Sequence, residues 1–257
     1  MRSTLLISLL LATLGAGALA EPCGRFRMAY YEYSGLYYRG EDGAYKGIDK
    51  ELVEEIARRT GCQFDTVTES RIRIWALMEQ GLLDMTASAI PTPDREKAFE
   101  MLPYLRSHQY ALLHPRVAPV PATAAEFIAD RRLHLLVVRG YRFVPSLEAW
   151  VAALRSQRRV VEAPDQPAAI RAFRAGRADA MLIGGNTLAH ARLREPDLNR
   201  YPALSYAPDE PSIATLALSR ERIPAADRDR IRAAVVEMQR DGSLAAIVQR
   251  HLGIHPH

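Results

Sequence analysis

Along the chain, short apolar runs suited to buried strands alternate with stretches whose apolar residues return every three or four positions. Ile48, Leu52, Val53 and Ile56 follow the helical spacing, and Thr60-Gly61 closes that helix. Strands are predicted on either side of it, over Arg25–Tyr30 and over residues 63–67. Ile74, Leu77 and Met78 mark a short helix ending at Gly81, and residues 83–87 read as a third strand. Thr92-Pro93-Asp94 opens another helix, with Thr as the cap, Pro at the first helical position and Asp favoured by the helix dipole.

A second unit repeats the pattern, with strands predicted at 133–138, 159–161 and 178–183 and helices at 146–155 and 166–175. Residues 116–121 read as its entry, and Arg139-Gly140 and Gly184-Gly185-Asn186 as loops within it. After Pro202, Pro208 and Pro211 the chain returns to an apolar strand at 213–218. It finishes in two helices: Ala225–Arg240, with Ile231, Val235 and Met238 on one face, and Ser243–Leu252, stopped by Gly253. Strand alternating with helix predicts α/β sheets that are mainly parallel, arranged as two lobes rather than one continuous sheet.

Composition sharpens this only where it excludes. The 257 residues are 48% hydrophobic and 25% charged, which fits a globular chain with a core and excludes disorder, collagen and a coiled coil. Lys+Arg of 34 against Asp+Glu of 30 leaves +4 with no long basic run, so no nucleic-acid partner is expected. Arg2 precedes an apolar run from Leu5 to Ala20 that ends Ala18-Leu19-Ala20, the order of a secretory signal peptide cleaved after Ala20. The run is shorter than the roughly 20 residues that span a bilayer, so an exported, soluble, periplasmic chain is expected. Cys23 and Cys62 then sit in an oxidising compartment, each just ahead of a predicted strand. A disulfide between them is one reading, worth roughly 3–4 kcal/mol by loop closure; two unpaired buried cysteines are the other.

Several segments carry a family resemblance. Tyr45-Lys46-Gly47-Ile48-Asp49-Lys50-Glu51-Leu52, Met78-Glu79-Gln80-Gly81-Leu82-Leu83-Asp84-Met85, Thr92-Pro93-Asp94-Arg95-Glu96-Lys97 and Leu102-Pro103-Tyr104 occur in order. Gly176-Arg177-Ala178-Asp179-Ala180 and Gln239-Arg240-Asp241-Gly242-Ser243-Leu244 follow. Together they resemble the family-3 solute-binding proteins of bacterial ABC transporters, the polar amino-acid type. The resemblance implies the type II periplasmic-binding-protein (Venus flytrap) fold, with two hinge crossings near residues 109–114 and 210–216. It sets lobe 1 at residues 21–112 plus 213–257 and lobe 2 at 113–212. It implies a monomer that takes a small solute between the lobes and presents it to an ABC permease or a membrane sensor. No cofactor and no metal are implied.

The resemblance also assigns the cleft. Arg95 matches the Arg that pairs with a ligand carboxylate, and a guanidinium fork in the first turn of a capped helix suits an anion on physical grounds. Tyr33 matches an aromatic that packs on the ligand, with Tyr30 and Tyr31 beside it. Arg71 falls where a second aromatic is common, and Arg73 lies two residues on. Ser88 supplies a hydroxyl from the loop before Arg95. Arg139 and Arg142 are read as solvated. Gly184 stands where amino-acid binders carry an Asp for the ammonium, and Asn186 nearby brings no charge. An anionic solute without an ammonium therefore suits these residues better than an α-amino acid.

Two other functions compete. Cyclohexadienyl dehydratases do chemistry in the same kind of cleft, but Glu32, Glu69 and the histidines form no recognisable catalytic constellation, so no enzyme is expected. A periplasmic sensory binding module has the same cleft physics as a transport component.

Overall fold

A computed structural model describes residues 22–253. The expected signal peptide, residues 1–20, lies outside the described residues, as do His255 and His257. Among the described residues no helix is long and apolar enough to cross a membrane.

The first sheet has the order Gln63–Thr68, Arg25–Tyr30, Met85–Ala89, Ser212–Ser219, Phe99–Ser107. Its first three strands are parallel, and Ser212–Ser219 runs antiparallel to both of its neighbours. The second sheet runs Ala203–Leu204, Gln109–Leu113, Ala180–Gly184, Leu135–Val138, Val160–Ala163. Three of its strands are parallel, while Gln109–Leu113 is antiparallel to both strands beside it. Each lobe is thus a mixed sheet built on three parallel strands and flanked by helices.

The lobes exchange chain at two places. Phe99–Ser107 pairs in the first sheet and Gln109–Leu113 in the second, so the outward crossing is at His108. The return lies between Leu204 and Ser212. The sequence placed the first boundary at 112/113, several residues late, because a short strand carries no mark of the sheet it joins. Residues 109–112 belong to the second sheet.

Helix Ile48–Thr60 buries Ile48, Leu52, Val53 and Ile56 against Met28, Met85 and Leu216 of the first sheet. Ile231, Val235 and Met238 of Ala225–Arg240 close the same core. The second sheet is covered on both faces, by Phe127, Trp150 and Leu154 on one side and by Ile170, Phe173 and Leu198 on the other. Burying apolar area in this way supplies roughly 25 cal/mol per Å², the main force holding each lobe. Arg25 pairs with Gln63 in parallel register, which brings Cys23 and Cys62 to one sheet edge. They form a disulfide with Cα atoms 4.6 Å apart.

One strand departs from simple pairing. Ala214 opposes Leu105 but Thr215 opposes Pro103, so Tyr104 is an extra residue in Phe99–Ser107. Pro103 lacks the N–H a regular ladder needs, and the bulge accommodates it. The bulge also aims Tyr104 inward, where its hydroxyl donates to Asp49 Oδ1 at 2.6 Å.

Candidate functional site

The strand Met85–Ala89 leads into the segment from Ser88 to Ile90, and this segment organises the first lobe's side of the cleft. Ser88 holds a left-handed backbone, φ +50°, which is uncommon for a residue with a Cβ and needs support from its surroundings. That support is a buried network. Ser88 Oγ donates to Asp49 Oδ2 at 2.6 Å, and the Ser88 amide donates to the Tyr104 hydroxyl at 2.9 Å. Burial pushes the Asp49 carboxyl up from its ordinary value, while the bonds from Ser88 and Tyr104 oppose that shift. Tyr104→Phe, which leaves Asp49 and the Ser88 amide short of a partner, is expected to cost about 1–3 kcal/mol, read as a lower urea midpoint.

Two guanidiniums hang on this segment. Arg95 sits in the first turn of the helix Pro93–Ala98, whose cap is Thr92 Oγ1 accepting from the Arg95 amide at 3.4 Å. Its Nη1 donates to Ile90 O at 2.8 Å, and its guanidinium carbon lies 3.6 Å from the centre of the Trp75 ring. The Arg95 pKa is pulled down to about 9, by burial first and then by the positive charges of Arg71 and Arg142. The group stays charged at neutral pH, in a place where an arriving anion relieves the repulsion. Arg71 is buried at 4% exposure, with Nη1 donating to Ser88 O at 3.1 Å. Its guanidinium lies 3.3 Å above the Tyr31 ring and 5.8 Å from that of Tyr141.

The second lobe meets these groups directly. Tyr141 stacks on Tyr33 with centroids 5.5 Å apart, and the Tyr33 hydroxyl accepts from the Gly184 amide at 3.4 Å. A cavity of about 960 Å³ opens between the lobes, lined by Trp75, Thr92 and Arg95 from one side and Tyr141, Arg142 and Glu148 from the other. Along a neighbouring part of the seam, the Ser34 amide donates to Gln166 Oε1 at 2.6 Å and Ser34 Oγ meets His190 Nδ1 at 2.7 Å.

The sequence-predicted site residues fall into two groups. Arg95, Arg71, Tyr31 and Tyr33 are brought together around the seam. Tyr30 is turned into a separate stack within the first lobe, 4.4 Å from Tyr37, which stacks in turn on Tyr45. Arg73 is exposed and pairs with Glu69 at 3.1 Å on the helix side facing water. Ser88 gives the cleft its carbonyl, because Asp49 takes its hydroxyl. Asn186 is not in a loop: the helix Gly185–Arg194 has already begun, and the Asn186 amide donates to Ser107 Oγ at 3.2 Å beside the crossing. Arg139 pairs with Glu162 at 3.2 Å, whereas Arg142, read as solvated, lines the cavity.

Sequence reasoning missed Trp75 and Tyr141. Trp75 is four residues from Arg71 on the helix Arg71–Glu79, so the two rise from neighbouring turns. That spacing, next to a basic residue, was the available signal. Among the described residues no group of three or more His, Cys, Asp or Glu is placed to hold a metal ion.

His190 makes the seam sensitive to acid. Burial, aided by the charges of Arg194 and His251, holds its pKa down at about 4 against an ordinary 6.5. Between those values the folded chain binds fewer protons than the unfolded one, so stability is full above about 6.5 and is lost as pH falls toward 4. The melting temperature is expected to fall less steeply over this window in His190→Gln than in the wild type.

Two α/β lobes, joined by two crossings and meeting over a cleft, define a bilobed binding protein of the type II periplasmic fold. The chain belongs to the bacterial extracellular solute-binding proteins, family 3, which it matches over residues 27–254. Solved structures agree on the fold. A mutant of ArgBP from T. maritima superposes with a TM-score of 0.73 at 18% identity, covering 90% of this chain and 96% of that one. The amino acid ABC transporter substrate-binding protein AbpA of Streptococcus pneumoniae, bound to L-arginine, gives 0.75 at 16% identity, covering 90% and 95%. AncCDT-1, an ancestral amino acid-binding protein described as a precursor of cyclohexadienyl dehydratase, gives 0.73 at 18%, covering 89% and 96%. No curated protein sequence matches the chain.

Proposed function

We propose that this chain captures a small anionic solute in the periplasm, between its two lobes, and delivers it to an ABC importer. The observation that carries the reading is Arg95: a guanidinium half withdrawn from water and held by Ile90 O and Trp75, on which the repulsion of Arg71 and Arg142 outweighs the attraction of Glu148 and Glu79. Among the described residues it makes no ion pair, although Glu148 lines the same cavity with Oε1 accepting from the Phe143 amide at 2.8 Å. A planar fork of this kind suits a carboxylate. Gly184, at the end of its strand, brings no charge for an ammonium.

Two of the structural neighbours are described as bound to arginine and one as bound to histidine, so the fold itself accommodates amino acids. A thermal-shift screen of organic acids and amino acids separates the possibilities. A solute at 100 times its Kd adds about 2.7 kcal/mol to the stability of the form that binds it. The proposal expects the rise with acids lacking an ammonium. A rise confined to zwitterionic amino acids, or turnover of prephenate or arogenate by the purified chain, overturns it.

A further inference from the structure

We propose that the solute carries two carboxylates, one seated on Arg95 and the other on Arg71, an inference that rests on the reading of the cleft as an anion site. The two guanidiniums are mounted alike. Each gives Nη1 to a backbone carbonyl, Ser88 O for Arg71 and Ile90 O for Arg95. Each lays its flat face on an aromatic ring, Tyr31 or Trp75. The pinned carbonyls are two residues apart, at most about 7 Å along an extended chain. The two guanidiniums are therefore anchored close together, on the length scale of a short diacid.

Arg71 carries the stronger evidence. Its Nε and Nη2 are buried and have no hydrogen-bond partner among the described residues. These two nitrogens form one side of the guanidinium, the side-on edge that takes a carboxylate in two parallel bonds. The Tyr31 hydroxyl beside it is likewise buried without a regular hydrogen bond, and the Arg71 guanidinium is the one side chain whose bonding acts on it. Native proteins leave few such groups unpaired, because each costs about 1–3 kcal/mol and a charged one more. The carboxylates of the cavity do not fill the role. Asp94 pairs with Lys97 at 3.0 Å, and no acidic side chain lies within 4.0 Å of the Arg71 or Arg95 guanidinium among the described residues. A second anionic group on the solute supplies the missing acceptor as the lobes close, since Tyr141 and Gly140 of the second lobe cover Arg71.

The test is calorimetric titration of the full mature chain with succinate, glutarate and adipate, each beside its monomethyl ester. The ester keeps length and one carboxylate but loses the second charge. The proposal expects at least one diacid to bind roughly a hundredfold more tightly than its ester, the worth of about two charge-assisted hydrogen bonds. Arg71→Met is expected to bring that ratio within a few fold, by weakening the diacid far more than the ester. Arg71→Lys, which keeps the charge and loses the fork, is expected to lie between. If a variant fails to fold, the wild-type ratio decides alone. Ester and diacid binding equally, or Arg71→Met weakening both alike, overturns the two-carboxylate inference and leaves the anion site standing. Binding of none of these acids, or of any other in the screen, overturns the anion site as well.

Discussion

Arg95→Ala is expected to abolish the rise in melting temperature that an acidic solute produces, while the solute-free protein melts within a few degrees of the wild type. The asymmetry follows from where the guanidinium stands. In the free chain it is partly desolvated and repelled by Arg71 and Arg142, so its removal relieves strain as well as losing the bond to Ile90 and the stacking on Trp75. Cation–π contacts of this kind are worth about 0.5–2 kcal/mol, and the relief offsets part of that. In the bound chain the same group is paired with a charge in a water-poor cleft. Removing one partner of such a pair costs about 2–5 kcal/mol, or roughly 30-fold to several-thousand-fold in affinity. Arg95→Lys retains the charge without the planar fork and is expected to recover only part of the affinity. Titration calorimetry beside thermal melts of the free variants reads both effects. A variant that binds normally contradicts the assignment.

Gly140→Ala is expected to weaken solute binding far more than it weakens the fold. Gly140 has φ +75°, and a Cβ built there lies 2.8 Å from Ile72 Cγ1 and 3.6 Å from Arg71 Cγ. The backbone conformation alone costs a residue with a Cβ about 1–2 kcal/mol, whether the lobes are open or closed. The overlap with Ile72 exists only when the lobes meet, and overpacking of this kind costs about 1–3 kcal/mol. Affinity for the closed form should fall by that second amount, roughly fivefold to 150-fold, because a solute can favour closure only by its preference for the closed state. Thermal melts of the free variant measure the first cost and titration the second. Unchanged affinity would mean that the solute is held without this contact.

The sequence was most readable where a signal is local. Thr92-Pro93 marks a helix start because cap and ring act within one turn, and the Ile48, Leu52, Val53 and Ile56 stripe marks a buried face because its period is set by the helix itself. Arg95 was singled out through the family resemblance of the segment that holds it, with the capped helix in physical support. What failed depended on partners far along the chain. Tyr30 and Tyr31 cannot be sorted between core and cleft until the register with residues 63–68 is known, since neighbouring strand residues face opposite ways. Ser88 promised a hydroxyl to the cleft, and Asp49, 39 residues earlier, claims it. Pro103 hid the strand Phe99–Ser107, because a proline argues against a ladder unless a bulge is assumed. Gly184-Gly185-Asn186 reads as a turn by composition, yet the helix starts at Gly185 because its residues pack beneath the crossing at Ser107 and His108. The cleft was thus legible as a guanidinium on a capped helix, and illegible as a pair of stacked guanidiniums with Tyr141 over Arg71.

The central claim is that two lobes come together around an acid. It is tested most directly by small-angle X-ray scattering of the mature chain, with and without the acid that gives the largest thermal shift. The account predicts that the bound protein scatters as the closed arrangement described above and that the free protein has a larger radius of gyration. A single scattering curve in both conditions, with the acid demonstrably bound, would contradict it.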